Sequence, residues 1–346
     1  MTAQPATPPA PPPAAESRPA FGTVLASRMG VVRFADGQWG PAAVEATAPI
    51  TLSPAAHVLH YSSTCFEGLK AYRWTDGSIN VFRLDKHIAR MRQSARHLVL
   101  PEPDAGTLDR LVREVCRAVA GEVPEAPGAL YLRPLLMGTL ANIGAAATPS
   151  GEATLLVLAS PVWDYFAGGM KPLRIFVDDQ NSRTASHLGM VKTGGNYAAA
   201  MKPTLDARTR HRADQVLFCP GGSVQETGAA NFLLLREGRI LTRSLDPSFL
   251  HGVTRDSLLT LAADLGYTVE ERVFTVREML DWARTGEAAL SGTAAVLTGV
   301  GTLIHDGQEY PVGGGDVGPE TRRLRSALVA IQRGESADRH GWLSRV

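Results

Sequence analysis

The chain has 346 residues, of which 44% are hydrophobic and 20% are charged, a balance typical of a globular protein with a substantial core. A formal net charge of +1 gives no reason to expect nucleic acid or an anionic membrane as a partner, and no apolar run is long enough to span a bilayer. Three widely spaced cysteines indicate neither a disulfide framework nor a zinc site, so we expect a cytoplasmic protein that binds no metal.

The first half of the chain predicts a sheet followed by two helices. Residues 1–20 are mostly Pro, Ala and Thr and predict a disordered tail, because they bury too little apolar surface to offset their conformational entropy. Strand patterns follow at 31–34, 57–61, 65–73 and 79–83, with turns at 36–37 and 76–77. Apolar residues at helical spacing then predict helices at 84–98 and 108–119, and 131–134 and 154–158 are further strands.

The second half repeats this alternation. It predicts strands at 173–177, 215–218, 231–235 and 239–242, a helix from about Tyr197 that must bend or restart near Pro203, a helix at 258–265 and a last helix from Pro319. Strands and helices in blocks predict two mixed α/β (α+β) domains. We place them at 21–167, carrying the substrate pocket, and 173–346, carrying the candidate lysine, with a linker at 168–172.

One short motif suggests covalent chemistry. Lys192 precedes Gly194 and Gly195, where the backbone can turn sharply, and Tyr197 follows five positions after the lysine. An aldehyde cofactor needs an amine that forms a Schiff base and a hydroxyl aimed at its ring. Lysines beside glycines are most often solvated loop residues, so the motif alone does not decide between the two interpretations.

Two turns could hold a phosphate. Thr254 stands just before the helix at 258–265 as a candidate N-cap, and a helix N-terminus binds anions, although plain capping explains the local sequence equally simply. Thr293 lies in a second small-residue turn at 291–294. Arg83, at a strand end, could add a bidentate contact, although a solvated arginine is the commoner case there.

Other residues could complete a pocket. Glu226, between a turn and an apolar strand, could keep a pyridine nitrogen protonated if it is buried. Tyr131 and Arg133 alternate along one strand and therefore point to the same face. Further aromatic residues in the first half could line an apolar pocket, although each one singly is typical of core: Tyr61, Phe66 and Tyr165.

Seven segments taken together resemble a known family. They are 66–70 (FEGLK), 81–83 (VFR), 131–134 (YLRP), 192–197 (KTGGNY), 225–231 (QETGAAN), 252–255 (GVTR) and 291–294 (SGTA). Their residues and order closely resemble the branched-chain amino acid aminotransferases, which are fold-type IV pyridoxal 5'-phosphate enzymes. The resemblance runs from about residue 21 to the C-terminus.

The resemblance implies a role for each candidate. Lys192 would form the Schiff base and carry the proton between Cα and C4′, Tyr197 would hydrogen-bond the ring O3′, and Glu226 would pair with the pyridine N–H. The phosphate would be held by a further set: Arg83, Val253, Thr254 and Thr293.

The resemblance also implies substrates and assembly. Branched-chain L-amino acids would donate the amino group to 2-oxoglutarate, giving L-glutamate. Thr293 and Ala294 would bind the α-carboxylate, Arg133 the second carboxylate of glutamate, and Phe66, Tyr131 and Tyr165 the side chain. The protein would be a homodimer with Tyr61 and the Ile143 loop at the subunit interface.

Three positions, at two places in the chain, depart from patterns in the family. A Cys-x-x-Cys pair found in many mammalian members is replaced here by Ala295 and Thr298, so we expect no thiol redox switch. A threonine common two positions before Asn231 is Ala229, which removes a hydroxyl from the pocket and could shift substrate preference.

Three alternatives remain open at this stage. A D-amino acid aminotransferase or an aminodeoxychorismate lyase would keep the fold and cofactor but change the reaction, and the segments around Phe66 and Tyr131 favour the branched-chain enzymes over both. A non-catalytic regulatory protein that binds the cofactor is the alternative from another class, and the presence of Lys192, Tyr197 and Glu226 argues against it.

Overall fold

The structure is a computed structural model that describes residues 19–163 and 170–346. Most of the predicted tail, the predicted pocket residue Tyr165 and the first two residues of the predicted linker lie outside the described residues. Among the described residues, none of the helices is both long enough and apolar enough to cross a membrane.

The strands of the first sheet are β1 (Arg28–Ala35), β2 (Gln38–Trp39), β3 (Ala43–Ala46), β4 (Thr64–Phe66), β5 (Leu69–Arg73), β6 (Ile79–Phe82), β7 (Ala129–Gly138), β8 (Ala153–Val162) and β17 (Leu343–Arg345). This sheet is antiparallel throughout, in the order β17-β6-β5-β7-β8-β1-β2, with β3 on β1 and β4 on β7. The helices of this half are α1 (His57–Tyr61), α2 (Leu84–His97) and α3 (Ala105–Ala118). Apolar faces of α2 and α3 share one buried core with the sheet, as the helical spacing of their leucines and valines predicts.

The strands of the second sheet are β9 (Leu173–Asp178), β10 (Gln215–Phe218), β11 (Asn231–Arg236), β12 (Arg239–Thr242), β13 (Thr268–Glu271), β14 (Glu287–Gly292), β15 (Val296–His305) and β16 (Gln308–Pro311). This sheet contains parallel and antiparallel pairs, in the order β10-β9-β15-β14-β11-β12-β13, with β16 on β15. The helices are α4 (Gly194–His211), α5 (Val253–Asp264), α6 (Val276–Ala283) and α7 (Pro319–Gln332). Side chains alternate along β11, so α5 and α7 pack on one face and α6 on the other.

The last strand crosses between the two halves. β17 follows α7 in the chain but pairs with β6 of the first sheet. A boundary at residue 173 therefore does not separate the two sheets cleanly, because the end of the chain returns to the first one.

The predicted strand at 57–61 is wrong, because these residues form the short helix α1. Five residues of mixed polarity fit either period, so alternation alone could not decide. The His57 N–H donates to the Leu140 carbonyl and its ring lies 2.8 Å from Ser63 Oγ, contacts that hold the turn from outside the segment.

Two helix starts also differ from the prediction. α4 begins at Gly194 and continues through Pro203 without restarting. α5 begins at Val253 with Gly252 as its N-cap, so Thr254 lies inside the first turn and is not the cap. A Cβ at residue 252 would lie 1.9 Å from Asn231 Oδ1, so only glycine fits.

Several elements were not predicted, among them α6 and the strands β13 to β17. A signal for α6 is present in the sequence. Thr275 caps the helix by accepting from the Glu278 N–H, and this threonine-to-glutamate spacing is that of a capping box.

Candidate active site

The loop before α4 holds Lys192 by contacts from both halves of the molecule. The Lys192 N–H donates to Ser94 Oγ on α2 at 3.1 Å, and its carbonyl accepts from the Phe66 N–H at 3.0 Å. Asn196, which is buried, donates to the Leu188 and Val191 carbonyls at 2.8 Å each. These bonds fix the lysine backbone at the junction of the two sheets.

Lys192 and Tyr197 meet as the motif predicted. Lys192 Nζ donates to Tyr197 Oη at 2.7 Å, and the same Nζ lies 5.1 Å from the centre of the Phe66 ring. The Phe66 and Tyr197 rings are 5.2 Å apart. An amine, a phenol and an aromatic wall therefore face one space.

Glu226 is a buried carboxylate beside this space. Burial raises its pKa to about 7, against the opposing effects of the Arg183 guanidinium and the Leu250 N–H. Arg183 Nε lies 2.7 Å and the Leu250 N–H 2.8 Å from Glu226 Oε1. The positive charge of Lys192 also lowers the pKa of Glu226. No local pattern indicated Arg183, since its partner is 43 residues away by the numbering of the chain.

The N-terminus of α5 has features that suit an anion site. Gly252 supplies no side-chain cap, so the N–H groups of the first turn have no side-chain partner from the cap residue. A cavity of about 300 Å³ opens at this point, and its lining includes Arg90, Gly252 and Val253. Thr254 is buried in the same turn. Free N–H groups, the helix dipole and an arginine together suit a phosphate.

Arg83 is not on this cavity, contrary to its predicted role. Its guanidinium donates to Ser257 Oγ at 2.6 Å and to Asp256 Oδ2 at 2.7 Å, past the first turn of α5. It is buried under the Trp342 ring, with the ring centre 5.2 Å from Cζ. Its guanidinium therefore contacts α5 beyond the first turn and does not line the cavity in front of it.

Arg90 is the arginine that the sequence analysis missed. It forms two hydrogen bonds with buried Glu67, Nε to Oε1 at 2.7 Å and Nη2 to Oε2 at 2.9 Å. Its Nη1 donates to the His251 carbonyl at 2.9 Å, immediately before Gly252. Burial alone would raise the pKa of Glu67, but Arg90 and His87 together hold it well below its ordinary value. The spacing from Arg83 to Arg90, seven residues on one helix face, was the available signal.

Phe66, Tyr131 and Arg133 come together as a pocket wall. Arg133 Nη2 donates to Tyr131 Oη at 2.8 Å, and Arg133 Cζ lies 4.6 Å from the Phe66 ring centre. A Cβ at Gly68 would lie 2.0 Å from Tyr131 Oη, so glycine is required for the tyrosine to approach. Among the described residues, Arg133 Nε is one of several buried arginine Nε atoms without a hydrogen-bond partner.

The turn of Thr293 and Ala294 lies between β14 and β15. Lys70 Nζ donates to the Ala294 carbonyl at 2.8 Å and links this turn to the first sheet. A cavity of about 320 Å³ opens beside the turn, and its lining includes the three positions noted as departures, Ala229, Ala295 and Thr298.

Tyr61 lies apart from these groups. Its hydroxyl donates to the Ile143 carbonyl, and Ile143 is 68% exposed. The structure thus joins Tyr61 to the Ile143 loop within one chain, and their place at a subunit interface stays a prediction.

The fold and this site define a class IV aminotransferase. The sequence profile of the family Amino-transferase class IV matches residues 64–302, and the chain belongs to this family. It is 40% identical over 341 residues to a probable branched-chain-amino-acid aminotransferase of Streptomyces coelicolor, covering 94% of this chain and 92% of the relative. It is also 40% identical over 343 residues to the branched-chain-amino-acid aminotransferase of Mycobacterium tuberculosis, covering 95% and 92%.

Solved structures show the same fold. The branched-chain amino acid aminotransferase of Escherichia coli superposes with a TM-score of 0.78 at 27% identity, covering 92% of this chain and 99% of that one. Another branched-chain amino acid aminotransferase, solved with pyridoxamine 5'-phosphate, superposes with a TM-score of 0.75 at 28% identity, covering 90% and 97%. The predicted fold class and aminotransferase family are confirmed.

We predict that Glu226→Gln removes a pH dependence from the stability of the cofactor-free protein. A carboxyl group with a pKa of about 7 when folded and 4.5 as its ordinary value binds more protons in the native state between these values. Its stabilising contribution is present below the lower value and is lost as pH rises through the higher one, a change of about 3 kcal/mol.

Urea unfolding across this pH window measures the effect. The wild-type free energy of unfolding should fall with pH relative to that of Glu226→Gln, whereas the exposed Glu45→Gln should follow the wild type. The slopes of the free energy of unfolding against pH are compared, because Glu226→Gln leaves Arg183 without its partner and is therefore less stable than the wild type at every pH. Parallel curves for wild type and Glu226→Gln would contradict the assignment.

Proposed function

We propose that the chain is a branched-chain amino acid aminotransferase. It moves the amino group of L-leucine, L-isoleucine or L-valine to 2-oxoglutarate with pyridoxal 5'-phosphate as cofactor, and yields branched-chain 2-oxo acids and L-glutamate. The observation that carries the proposal is the 2.7 Å contact of Lys192 Nζ with Tyr197 Oη, next to a buried carboxylate, at the junction of the two sheets.

The residues present fit the cofactor. Lys192 and Tyr197 would hold its aldehyde and O3′ ends, and Glu226 its pyridine nitrogen. The phosphate would bind the first-turn N–H groups of α5 with Arg90, in the cavity of about 300 Å³ that they line. Burial raises the pKa of Glu226 to about 7, so a cation placed beside it would stabilise its ionised form, and a protonated pyridine is such a cation.

Each step of transamination has a group in this chain. When bound, the cofactor supplies an electron sink for the pair left at Cα as its proton departs. The Lys192 amine takes that proton and returns it to C4′, so one group serves both positions. Glu226 keeps the pyridine proton in place, and the Tyr197 hydroxyl orients the lysine through their hydrogen bond.

One pocket would accept both an apolar and an acidic substrate. Phe66 and Tyr131 offer aromatic surface to a leucine side chain, while Arg133, with its unpartnered Nε, offers a cation to the second carboxylate of glutamate. The N–H groups of Thr293 and Ala294 would hold the α-carboxylate. The relative solved with pyridoxamine 5'-phosphate has also been solved with N-(5'-phosphopyridoxyl)-L-glutamate and with 4-methylvaleric acid, which are an acidic and a branched apolar ligand.

We further propose a cytoplasmic homodimer. Burial raises the pKa of Cys116 to about 12, and all three cysteines are buried and free, which suits a reducing compartment. Fractionation of cells tests the location. Leu59 and Ile143 are large apolar side chains exposed on either side of Tyr61, and a second copy of this chain would cover them.

Ile143→Asp should convert the dimer to a monomer, because a carboxylate would be buried without a partner in the interface. Analytical ultracentrifugation measures this, with the exposed Val273→Asp as the control. An Ile143→Asp protein that sediments as the wild type would argue against this interface.

Lys192→Ala should abolish leucine transamination, since the lysine amine is the group assigned to both proton transfers. The wild type should show visible absorption of its lysine-bound cofactor that L-leucine bleaches and 2-oxoglutarate restores, and the variant should show neither change. Faster turnover with D-alanine than with L-leucine would overturn the substrate assignment, and activity retained in Lys192→Ala would overturn the mechanism.

Arg90 should determine the preference for a phosphorylated cofactor. The double variant Glu67→Gln/Arg90→Met removes the cation without leaving a buried carboxylate unpaired, which single removal of Arg90 would do. Its affinity for pyridoxal phosphate should fall about tenfold or more, and its affinity for pyridoxal should change little. Glu67→Gln alone keeps the cation and is the matched control; equal losses for both ligands would contradict the assignment.

A further inference from the structure

The C-terminal segment, residues 340–346, connects the first sheet to the helix of the phosphate site. Its strand β17 pairs with β6, with Leu343 opposite Phe82. Nearby, His340 Nε2 lies 2.6 Å from Asp264 Oδ2, at the last residue of α5. One short segment thus contacts a strand of the first sheet and a helix of the second half.

Arg83 lies where this segment meets α5. Its N–H donates to the Trp342 carbonyl at 2.7 Å, and its guanidinium is covered by the Trp342 ring, 5.2 Å from the ring centre. Arg83 also has a backbone φ of 53°, a left-handed conformation that a non-glycine residue adopts only when its surroundings hold it. The contacts with Trp342 are part of what holds it.

The Arg83 guanidinium is linked to the first turn of α5 through Ser257. Arg83 Nη1 donates to Ser257 Oγ at 2.6 Å, and Ser257 Oγ donates in turn to the Val253 carbonyl at 2.9 Å. Val253 is the first residue of α5 and lines the cavity assigned to the phosphate. Trp342, Arg83, Ser257 and Val253 therefore form one continuous chain of contacts.

Helix α2 holds α5 from two sides. Arg83 at its N-cap binds Ser257, after the first turn of α5, and Arg90, two turns along, binds the His251 carbonyl, before that turn. The separation of these two contacts fixes the first turn relative to Arg90. A shift of Arg83 would move the N–H groups away from the arginine that faces the same ligand.

We infer that Trp342 is a positioning residue for the cofactor phosphate: by packing on Arg83, it keeps the first turn of α5 and Arg90 aimed at one cavity. The inference rests on the proposed function, which places the phosphate there. Trp342 is 6% exposed, and an aromatic face against a desolvated guanidinium gives a stronger contact than it does in water. Without the ring, Arg83 would gain access to water and to other conformers.

The affinity ratio for pyridoxal phosphate over pyridoxal in the full-length protein tests this inference. Trp342→Leu keeps an apolar side chain but removes the aromatic face and leaves a cavity, and the ratio should fall about tenfold because the phosphate contacts alone are misaligned. Trp342→Phe restores an aromatic face and should recover most of the ratio. A loss of general stability would lower both affinities and leave the ratio unchanged.

Trp282→Leu is the matched control. Trp282 is also 6% exposed and also carries an arginine, Arg236, over its ring at 4.4 Å, but it packs on the opposite face of the second sheet from α5. This variant should be destabilised while keeping the wild-type ratio. If it loses the ratio as Trp342→Leu does, the inference is overturned.

A second variant keeps the test independent of the C-terminal segment. Ser257→Ala breaks the link from Arg83 to the Val253 carbonyl without altering β17, and it should lower the same ratio. A wild-type ratio in either Ser257→Ala or folded Trp342→Leu overturns the inference. A wild-type protein that binds both ligands equally would instead overturn the phosphate assignment itself, and the inference with it.

Discussion

The buried pair of Glu67 and Arg90 is the contact on which the rest of the site depends. Two buried charges are stable only when each has its partners in good geometry, and here the guanidinium meets both carboxylate oxygens and the His251 carbonyl. Glu67 directly follows Phe66 of the pocket wall, and His251 directly precedes the N-cap of α5. The requirement to pair one buried arginine thus fixes the segment that carries Phe66 and the N-terminus of α5 relative to each other.

The site collects more positive than negative charge. Arg90 pairs with Glu67 and Arg183 with Glu226, and Lys192 and Arg133 are two further cations. Such a surplus is costly in a region of low dielectric unless an anionic ligand balances it. A phosphate beside Arg90 and a substrate carboxylate beside Arg133 are the groups that would do so. Net charge over the whole chain, at +1, hides this local excess completely.

Roles that depend on residues close together in the sequence could be predicted, whereas roles that depend on contacts between distant residues could not. Lys192 and Tyr197 are one motif, and a glycine turn before a helix brings them together. Arg83 and Arg90 lie two turns apart on one face of α2, so the choice between them depends on where along α2 the first turn of α5 packs, which the spacing alone does not decide. Gly252, and not Thr254, caps α5 because Asn231 leaves no room for a Cβ, a contact between residues 21 positions apart by their numbering.

For the same reason, the sequence did not indicate that the C-terminal residues pair with the first sheet. Periodicity describes each element separately, whereas β17 belongs to the first sheet only because β6 offers it a free edge. Once there, Trp342 reaches Arg83 and His340 reaches Asp264, so the last residues of the chain contact both halves. An active site between two halves of a molecule needs their relative position to be fixed, and a segment that crosses back over the interface fixes it through hydrogen bonds and packing on both sides.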